Sequence, residues 1–249
     1  MTEQLETIDG AGLWLMDFTP GLLARTSRLG FDWICLDRQH GRFERSDLIA
    51  SLGGLPEGSA PVLVRVSSGS PENIGEALDA GAAGVIVPSI TGIEDARAAV
   101  SAAFYPPMGT RSWGQYAGLL GGSPKSPDDS NASVTCAIMV ETAGALEDVE
   151  KIAALPGVGM LFVGPWDLSM SIGTTSAELL ADGNAIRRVV SAAKANGITA
   201  GGFGITPESA RRMRELGLSC IAISDEGGLL TAGAQSLLAS YERSGSTQV

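Results

Sequence analysis

The chain has 249 residues, of which 44% are apolar, so it can bury a large core, and α/β barrels commonly use this length as one domain. Its formal charge of -11 at pH 7 comes without any basic stripe, which argues against nucleic acid or an anionic membrane as a partner while leaving room for small anions bound locally.

Short apolar runs alternate with longer amphipathic ones from end to end. Strands are expected at 12–18 (GLWLMDF), 31–37 (FDWICLD), 61–66 (PVLVRV), 84–89 (GVIVPS), 135–141 (TCAIMVE), 159–164 (GMLFVG), 198–204 (ITAGGFG) and 220–225 (CIAISD). The runs are continuous rather than alternating, as a parallel sheet covered on both faces requires. Between them lie helical patterns, among them SDLIASLGG, ENIGEALDAGA, GIEDARAAVSAAF, GALEDVEKIAALPG, NAIRRVVSAAKANG, PESARRMRELG and, last, GLLTAGAQSLLASYERS. Several open on Pro, Ser or Asn and close on Gly, as helix caps predict. Eight strand-then-helix units in a chain this long predict a (β/α)8 TIM barrel spanning 1–249 as a single domain. The rival doubly wound sheet would need fewer strands, and no GxGxxG follows the first one.

One segment breaks the rhythm. About 30 residues from Tyr105 to Val134, rich in Gly, Ser and Pro, separate the fourth helix from the fifth strand, well beyond usual loop lengths. This insertion enters a strand at its N-terminal end, so it would have to wrap over the barrel or cross to a neighbouring subunit to reach a site at the other end. Cys35, Cys136 and Cys220 sit in separate strand runs, with neither metal-ligand spacing nor an even count, and are expected as buried, reduced thiols. The acidic start MTEQLETIDGAG is not a signal peptide, and no apolar run reaches the ~18 residues of a membrane span. A cytoplasmic location is the default expectation.

In such barrels chemistry gathers at the C-terminal ends of the strands. There the sequence places Asp17, then Asp37, Gln39 and His40, then Arg65, Pro88 and Ser89, Glu141, Asp167 within GPWDLS, and Ser224 with Asp225. Glu141 and Asp167 end neighbouring strands and should face one mouth. Two ionised carboxylates in a partly dry site repel, which raises one pKa unless a cation compensates. Arg65 could serve, or a metal ion, and hard oxygen ligands suit Mg²⁺ or Mn²⁺ better than a structural zinc. The sharp turn at Gly164 and Pro165 leaves the N–H groups of Trp166 and Asp167 free to meet a small carboxylate, with an ordinary helix start as the alternative. His40 is the only histidine of the chain. Alone it would read as structural, but beside Asp37, which can orient an imidazole and support its protonated form, it reads as a general base.

The stretches GLWL, GFDWICLDRQHG, VLVRV, ALDAGAAGVIVP, YPPMGTRSWG, VETAGALEDVEKIAALPGV and FVGPWDLSMSIG together resemble the HpcH/HpaI aldolases, metal-dependent (class II) pyruvate aldolases, in order along nearly the whole chain. The resemblance implies that Glu141 and Asp167 ligate a divalent cation (Mg²⁺, Mn²⁺ or Co²⁺) and that His40 acts as acid/base with Asp37 behind it. It further implies that Arg65 stabilises the enolate oxygen and that the backbone of Gly164, Pro165, Trp166 and Asp167 holds the pyruvate carboxylate, with Gln39 nearby. Asp79 matches a further acidic family position, although its pattern puts it on a helix. A hexamer, a trimer of dimers whose last helix packs on a neighbour, is implied as well. Gln39 stands where many members have Glu, Met139 where some have Gln, and Trp166 where well-known members have Ala, which leaves substrate choice open.

The activity expected is reversible cleavage of a 4-hydroxy-2-oxo acid into pyruvate, or a close 2-oxo acid such as hydroxypyruvate, and an aldehyde. A Schiff-base mechanism is not expected, because Lys125, Lys151 and Lys194, the lysines of the chain, lie in the insertion or on helices. The alternatives are carbon–carbon lysis of a CoA thioester, as in citrate-lyase-like relatives, and a barrel that binds a 2-oxo acid without turning it over.

Overall fold

A computed structural model describes residues 8–17, 19–116, 124–204 and 206–245. The chain's acidic start, Phe18 and the middle of the insertion (117–123) lie outside them. In chain order the elements are β1 (Gly10–Leu15), α1 (Pro20–Thr26), β2 (Trp33–Asp37), α2 (Arg45–Gly53), β3 (Val62–Arg65), α3 (Pro71–Asp79), β4 (Gly84–Val87), α4 (Ile93–Ala103) and α5 (Pro127–Ser133). The second half continues with β5 (Thr135–Val140), α6 (Ala143–Glu147), α7 (Val149–Ala153), β6 (Val158–Val163), α8 (Pro165–Ser171), α9 (Ser176–Asp182), α10 (Asn184–Ala195), β7 (Thr199–Phe203), α11 (Pro207–Leu216), β8 (Cys220–Asp225) and α12 (Glu226–Gly245).

The eight strands form one closed parallel barrel in sequence order, the (β/α)8 arrangement that the alternation of runs predicts. Each strand is buried on both faces, so alternate residues feed two cores. Outward residues such as Ile34, Leu36, Val64, Ile138, Leu161 and Val163 pack under the helices. Inward residues such as Trp14, Trp33, Cys35, Leu63, Ile86, Met139, Met160, Phe162 and Cys220 fill the barrel itself. Aromatic rings carry much of that filling: Trp14 stacks on Phe203 at 5.2 Å between centroids, and Trp33 meets Phe162 edge-on at 6.2 Å, arrangements that ring quadrupoles favour. Cys35, Cys136 and Cys220 are all buried and free.

The differences from the expected elements have local causes. The helix expected over GALEDVEKIAALPG is two pieces, α6 and α7, parted at Asp148, whose carboxylate accepts from Ile93 N–H at 3.1 Å and Lys151 Nζ at 2.6 Å. The insertion contains α5, which begins as helices do when Ser caps and Pro takes the first turn: the Ser126 hydroxyl accepts from Asp129 N–H, and Pro127 follows. Two short helices, α8 and α9, occupy the stretch after β6, the first of them at the helix start that GPWDLS offers in the sequence. No described helix is long and apolar enough to cross a membrane.

Candidate active site

The same two-residue parity that fills the barrel decides which side chains top it. In β2, Trp33 and Cys35 point inward, so Asp37 follows them. In β3, Leu63 points inward, so Arg65 does too. In β5, Ala137 and Met139 point inward, which places Glu141 on the same side just past the last strand residue. One apolar layer higher than the core, three ionisable groups therefore converge at the C-terminal mouth.

Asp37 and Arg65 are direct partners in the β2–β3 register. Arg65 donates to Asp37 through Nε at 2.9 Å and through Nη2, a two-pronged pair whose members are 8% and 0% exposed. The Trp14 indole N–H donates to the same carboxylate at 3.2 Å, and the Arg65 guanidinium lies 5.1 Å from the Trp14 ring centroid. Burial pushes the Asp37 carboxyl upward, but the bonds and charge of Arg65, the Trp14 N–H and the His40 backbone N–H outweigh it and hold the pKa below the usual carboxylate range.

The remaining contacts of Asp37 differ from the expected imidazole partnership. Its Oδ1 accepts from the backbone N–H of Gln39 at 2.9 Å and of His40 at 3.2 Å. The carboxylate thus orients the chain that carries His40, not the ring, because its other lone pairs are taken by Arg65 and Trp14. His40 itself is exposed, yet near enough for its charge to act on Glu141. Beside it in the chain, the Gln39 side-chain oxygen is buried without a hydrogen-bond partner.

Glu141 is 5% exposed. Burial is the main cause that raises its pKa, and the negative charge of Asp167 adds to it, while the Ser89 N–H and the charges of Arg65 and His40 pull the other way. Ser89 delivers that N–H to Oε1 from a backbone with φ 59°, the left-handed region that a non-glycine residue adopts only at a cost of about 1–3 kcal/mol. Oε2 turns toward Gly164, where a Cβ would stand 3.0 Å from it, 3.0 Å from the Glu141 Cβ and 2.9 Å from Met139 Cε. A glycine is needed there for β6 to pass so close. Asp167, in the first turn of α8, is exposed and makes no hydrogen bond or ion pair among the described residues.

This donor set fits a divalent cation. Glu141 is buried and lies near enough to Asp167 to feel its charge, neither forms an ion pair with a lysine or arginine among the described residues, and both offer hard oxygens. Among the described residues no third His, Cys, Asp or Glu completes a closed metal cage, so such an ion would keep positions open for substrate and water.

The other expected positions separate. Pro165 is buried at the start of α8 and Trp166 beside it is 54% exposed, its indole standing at the rim. Asp79, by contrast, is the last residue of α3, on the side where the chain turns into β4. Its carboxylate pairs with Arg111 of the insertion at 2.6 Å, and burial raises its pKa. Within one chain it is not part of the mouth. Two features of the site escape sequence reasoning: Trp14, and the donation by the Ser89 backbone, a residue the sequence places at the mouth without that role. Parity from Trp14 along β1 is the signal for the first, and only the backbone itself reveals the second.

Comparison with known proteins agrees with the fold. The profile of the family described as HpcH/HpaI aldolase/citrate lyase matches residues 10–232. The chain is 36% identical over 230 residues to a 2-dehydro-3,6-dideoxy-6-sulfogluconate aldolase of Pseudomonas putida, covering 91% of this chain and 90% of the relative. It is 34% identical over 236 residues to a hydroxypyruvate/pyruvate aldolase of Paraburkholderia phytofirmans, covering 91% of each. Among solved structures, an HpcH/HpaI aldolase/citrate lyase family protein from Burkholderia cenocepacia superposes with a TM-score of 0.83 at 31% identity, covering 94% of this chain and 95% of that one. The chain belongs to the HpcH/HpaI aldolase/citrate lyase family and, with it, to the carbon–carbon lyases.

Proposed function

We propose that this protein is a divalent-metal-dependent aldolase that cleaves 4-hydroxy-2-oxo acids to pyruvate, or to hydroxypyruvate, and an aldehyde. The observation that carries the proposal is the pair Glu141 and Asp167, unneutralised at the mouth beside Arg65 and His40. Glu141 and Asp167 would hold the cation, which when bound supplies a Lewis acid for the negative charge that develops on the C2 oxygen. The N–H groups of Trp166 and Asp167 orient the substrate carboxylate, and Gly164 lets it approach. Arg65, fixed by Asp37 through Nε and Nη2, keeps Nη1 free among the described residues and directs its charge to the same developing anion.

His40 takes the proton from the C4 hydroxyl as the C3–C4 bond breaks. The bonding pair moves into the C2–C3 bond of an enolate, C4 leaves as the aldehyde, and protonation of C3 completes the 2-oxo acid. Trp166 and Gln39 are the residues we assign to substrate choice. Further from the mouth, α12 exposes Leu230 (69%), Leu237 (75%) and Leu238 (63%), which supports an oligomer in which this helix packs on a neighbour, and the oligomer we propose is the hexamer, a trimer of dimers, that the family resemblance implies.

The test is pyruvate release from a panel of 4-hydroxy-2-oxo acids with Mg²⁺, Mn²⁺ or Co²⁺ added, then with EDTA. Cleavage that EDTA abolishes and metal restores supports the proposal. Turnover indifferent to EDTA contradicts it, and binding of 2-oxo acids without turnover favours a non-catalytic barrel.

A further inference from the structure

The loop that carries His40 leans on the far end of the barrel sequence. The Glu226 carboxylate, at the start of α12, accepts the Met16 N–H at 3.2 Å through Oε1 and 3.1 Å through Oε2, and the Asp17 N–H at 2.8 Å through Oε1. Those two residues, just past β1, are in turn what the His40 loop rests on. The Met16 carbonyl accepts the Arg42 N–H at 2.9 Å, and the Asp17 carboxylate pairs with the Arg42 guanidinium. Gly41, between His40 and Arg42, approaches the same carbonyl so closely that a Cβ there would stand 2.9 Å from it and 2.0 Å from the carbonyl oxygen of Asp37.

The Asp17–Arg42 pair is 58% and 79% exposed and contributes little by itself. The backbone bonds carry the load. Asp37 grips the loop on one side through the Gln39 and His40 N–H groups, and the Met16 carbonyl grips it on the other through Arg42. Glu226 fixes where that carbonyl stands.

We propose that Glu226 is a positioning residue for His40, acting through the Met16–Asp17 backbone and the Arg42 N–H, so that its loss misplaces the imidazole while sparing the carboxylate pair across the mouth. This rests on the role assigned to His40 above. Glu226 makes no hydrogen bond or ion pair with Glu141, Asp167 or Arg65 among the described residues, so its effect should be confined to steps that need the imidazole. Misplacing a proton-transfer group by about 1 Å lowers rate by roughly ten- to hundredfold. Oxaloacetate offers the internal control: loss of its CO₂ reaches the same enolate with no hydroxyl proton to remove.

The experiment compares Glu226→Ala and Glu226→Gln, which keeps one acceptor oxygen, in cleavage and in oxaloacetate decarboxylation. It adds a readout independent of any activity, the carbon spectrum of protein labelled with ¹³C at histidine, which shows one imidazole because the chain has one. Glu226→Ala should lower cleavage kcat, leave decarboxylation at the wild-type rate, and shift or broaden the histidine signal. Glu226→Gln should recover most of both the rate and the signal. In a His40→Ala background Glu226→Ala should cost nothing further. The proposal is overturned if cleavage and decarboxylation fall together, if the losses add in the double variant, or if the histidine signal stays unmoved in Glu226→Ala. A wild type that cleaves no substrate would reject the functional reading instead, and the spectrum would still decide the role of Glu226.

Discussion

Replacing Asp37 by Asn perturbs one atom of the side chain and most of its environment. The native carboxylate receives Arg65 Nε, Arg65 Nη2, Trp14 Nε1 and the N–H groups of Gln39 and His40. Five donors and no acceptor face it. An asparagine can turn its oxygen to Gln39, His40 and Arg65 Nε, but its amide then points two protons at Arg65 Nη2 and Trp14 Nε1. The guanidinium, 8% exposed, is left buried and half-paired. Breaking a buried pair by removing one charge costs about 3–5 kcal/mol. For a chain of this size that corresponds to a fall in Tm of roughly 6–20 °C, readable by calorimetry at fixed protein concentration. The pH dependence has a definite sign. The folded pKa of Asp37 is depressed, so its contribution is present above the unfolded carboxylate pKa of about 4 and is lost as pH falls through the folded value. Wild type should therefore lose more stability on acidification than Asp37→Asn does. A variant within about 1 kcal/mol of wild type, less than any mechanism that strands a buried charge, would refute this account of the node.

His40→Ala should lower aldol cleavage by about a hundred- to ten-thousandfold, the range for general acid–base groups, while retaining the fold by circular dichroism and decarboxylation of oxaloacetate by CO₂ release. Gly164→Ala should weaken Mn²⁺ binding by about ten- to hundredfold, as disturbed metal-site neighbours do, because the new Cβ meets the Glu141 Cβ and Oε2 at 3.0 Å. Titration calorimetry measures it. The three thiols should not react with a disulfide reagent in the native protein and should all react in denaturant, since Cys35, Cys136 and Cys220 are buried and burial pushes each pKa up, that of Cys136 to about 12.

The barrel is legible in the sequence because a parallel strand buried on both faces must be apolar throughout, and runs such as VLVR and GVIV admit little else. The site is legible where parity extends a strand: Asp37, Arg65 and Glu141 lie two residues beyond inward-facing Cys35, Leu63 and Met139. Pairing across strands is not. That Asp37 opposes Arg65 depends on the register of β2 and β3, which no single-strand pattern contains, so the partner of the carboxylate is misread as the imidazole. The short helices hide for another reason. PWDLSMS and PDDSNAS both open on the proline of a helix start, the second after a capping Ser126, but each is only seven residues, too short for a periodic stripe. Asp79 shows the limit of motif matching, since a residue in the right order along the chain lies, within one chain, beside Arg111 instead of the mouth.

The central claim is that Glu141 and Asp167 together hold a divalent cation. Binding of Mn²⁺, followed by its electron paramagnetic resonance signal in wild type and in Glu141→Gln and Asp167→Asn, tests it without reference to any substrate. Bound ion in wild type and its loss in both variants is the predicted outcome, whereas Mn²⁺ held equally well after either carboxylate is neutralised would contradict it.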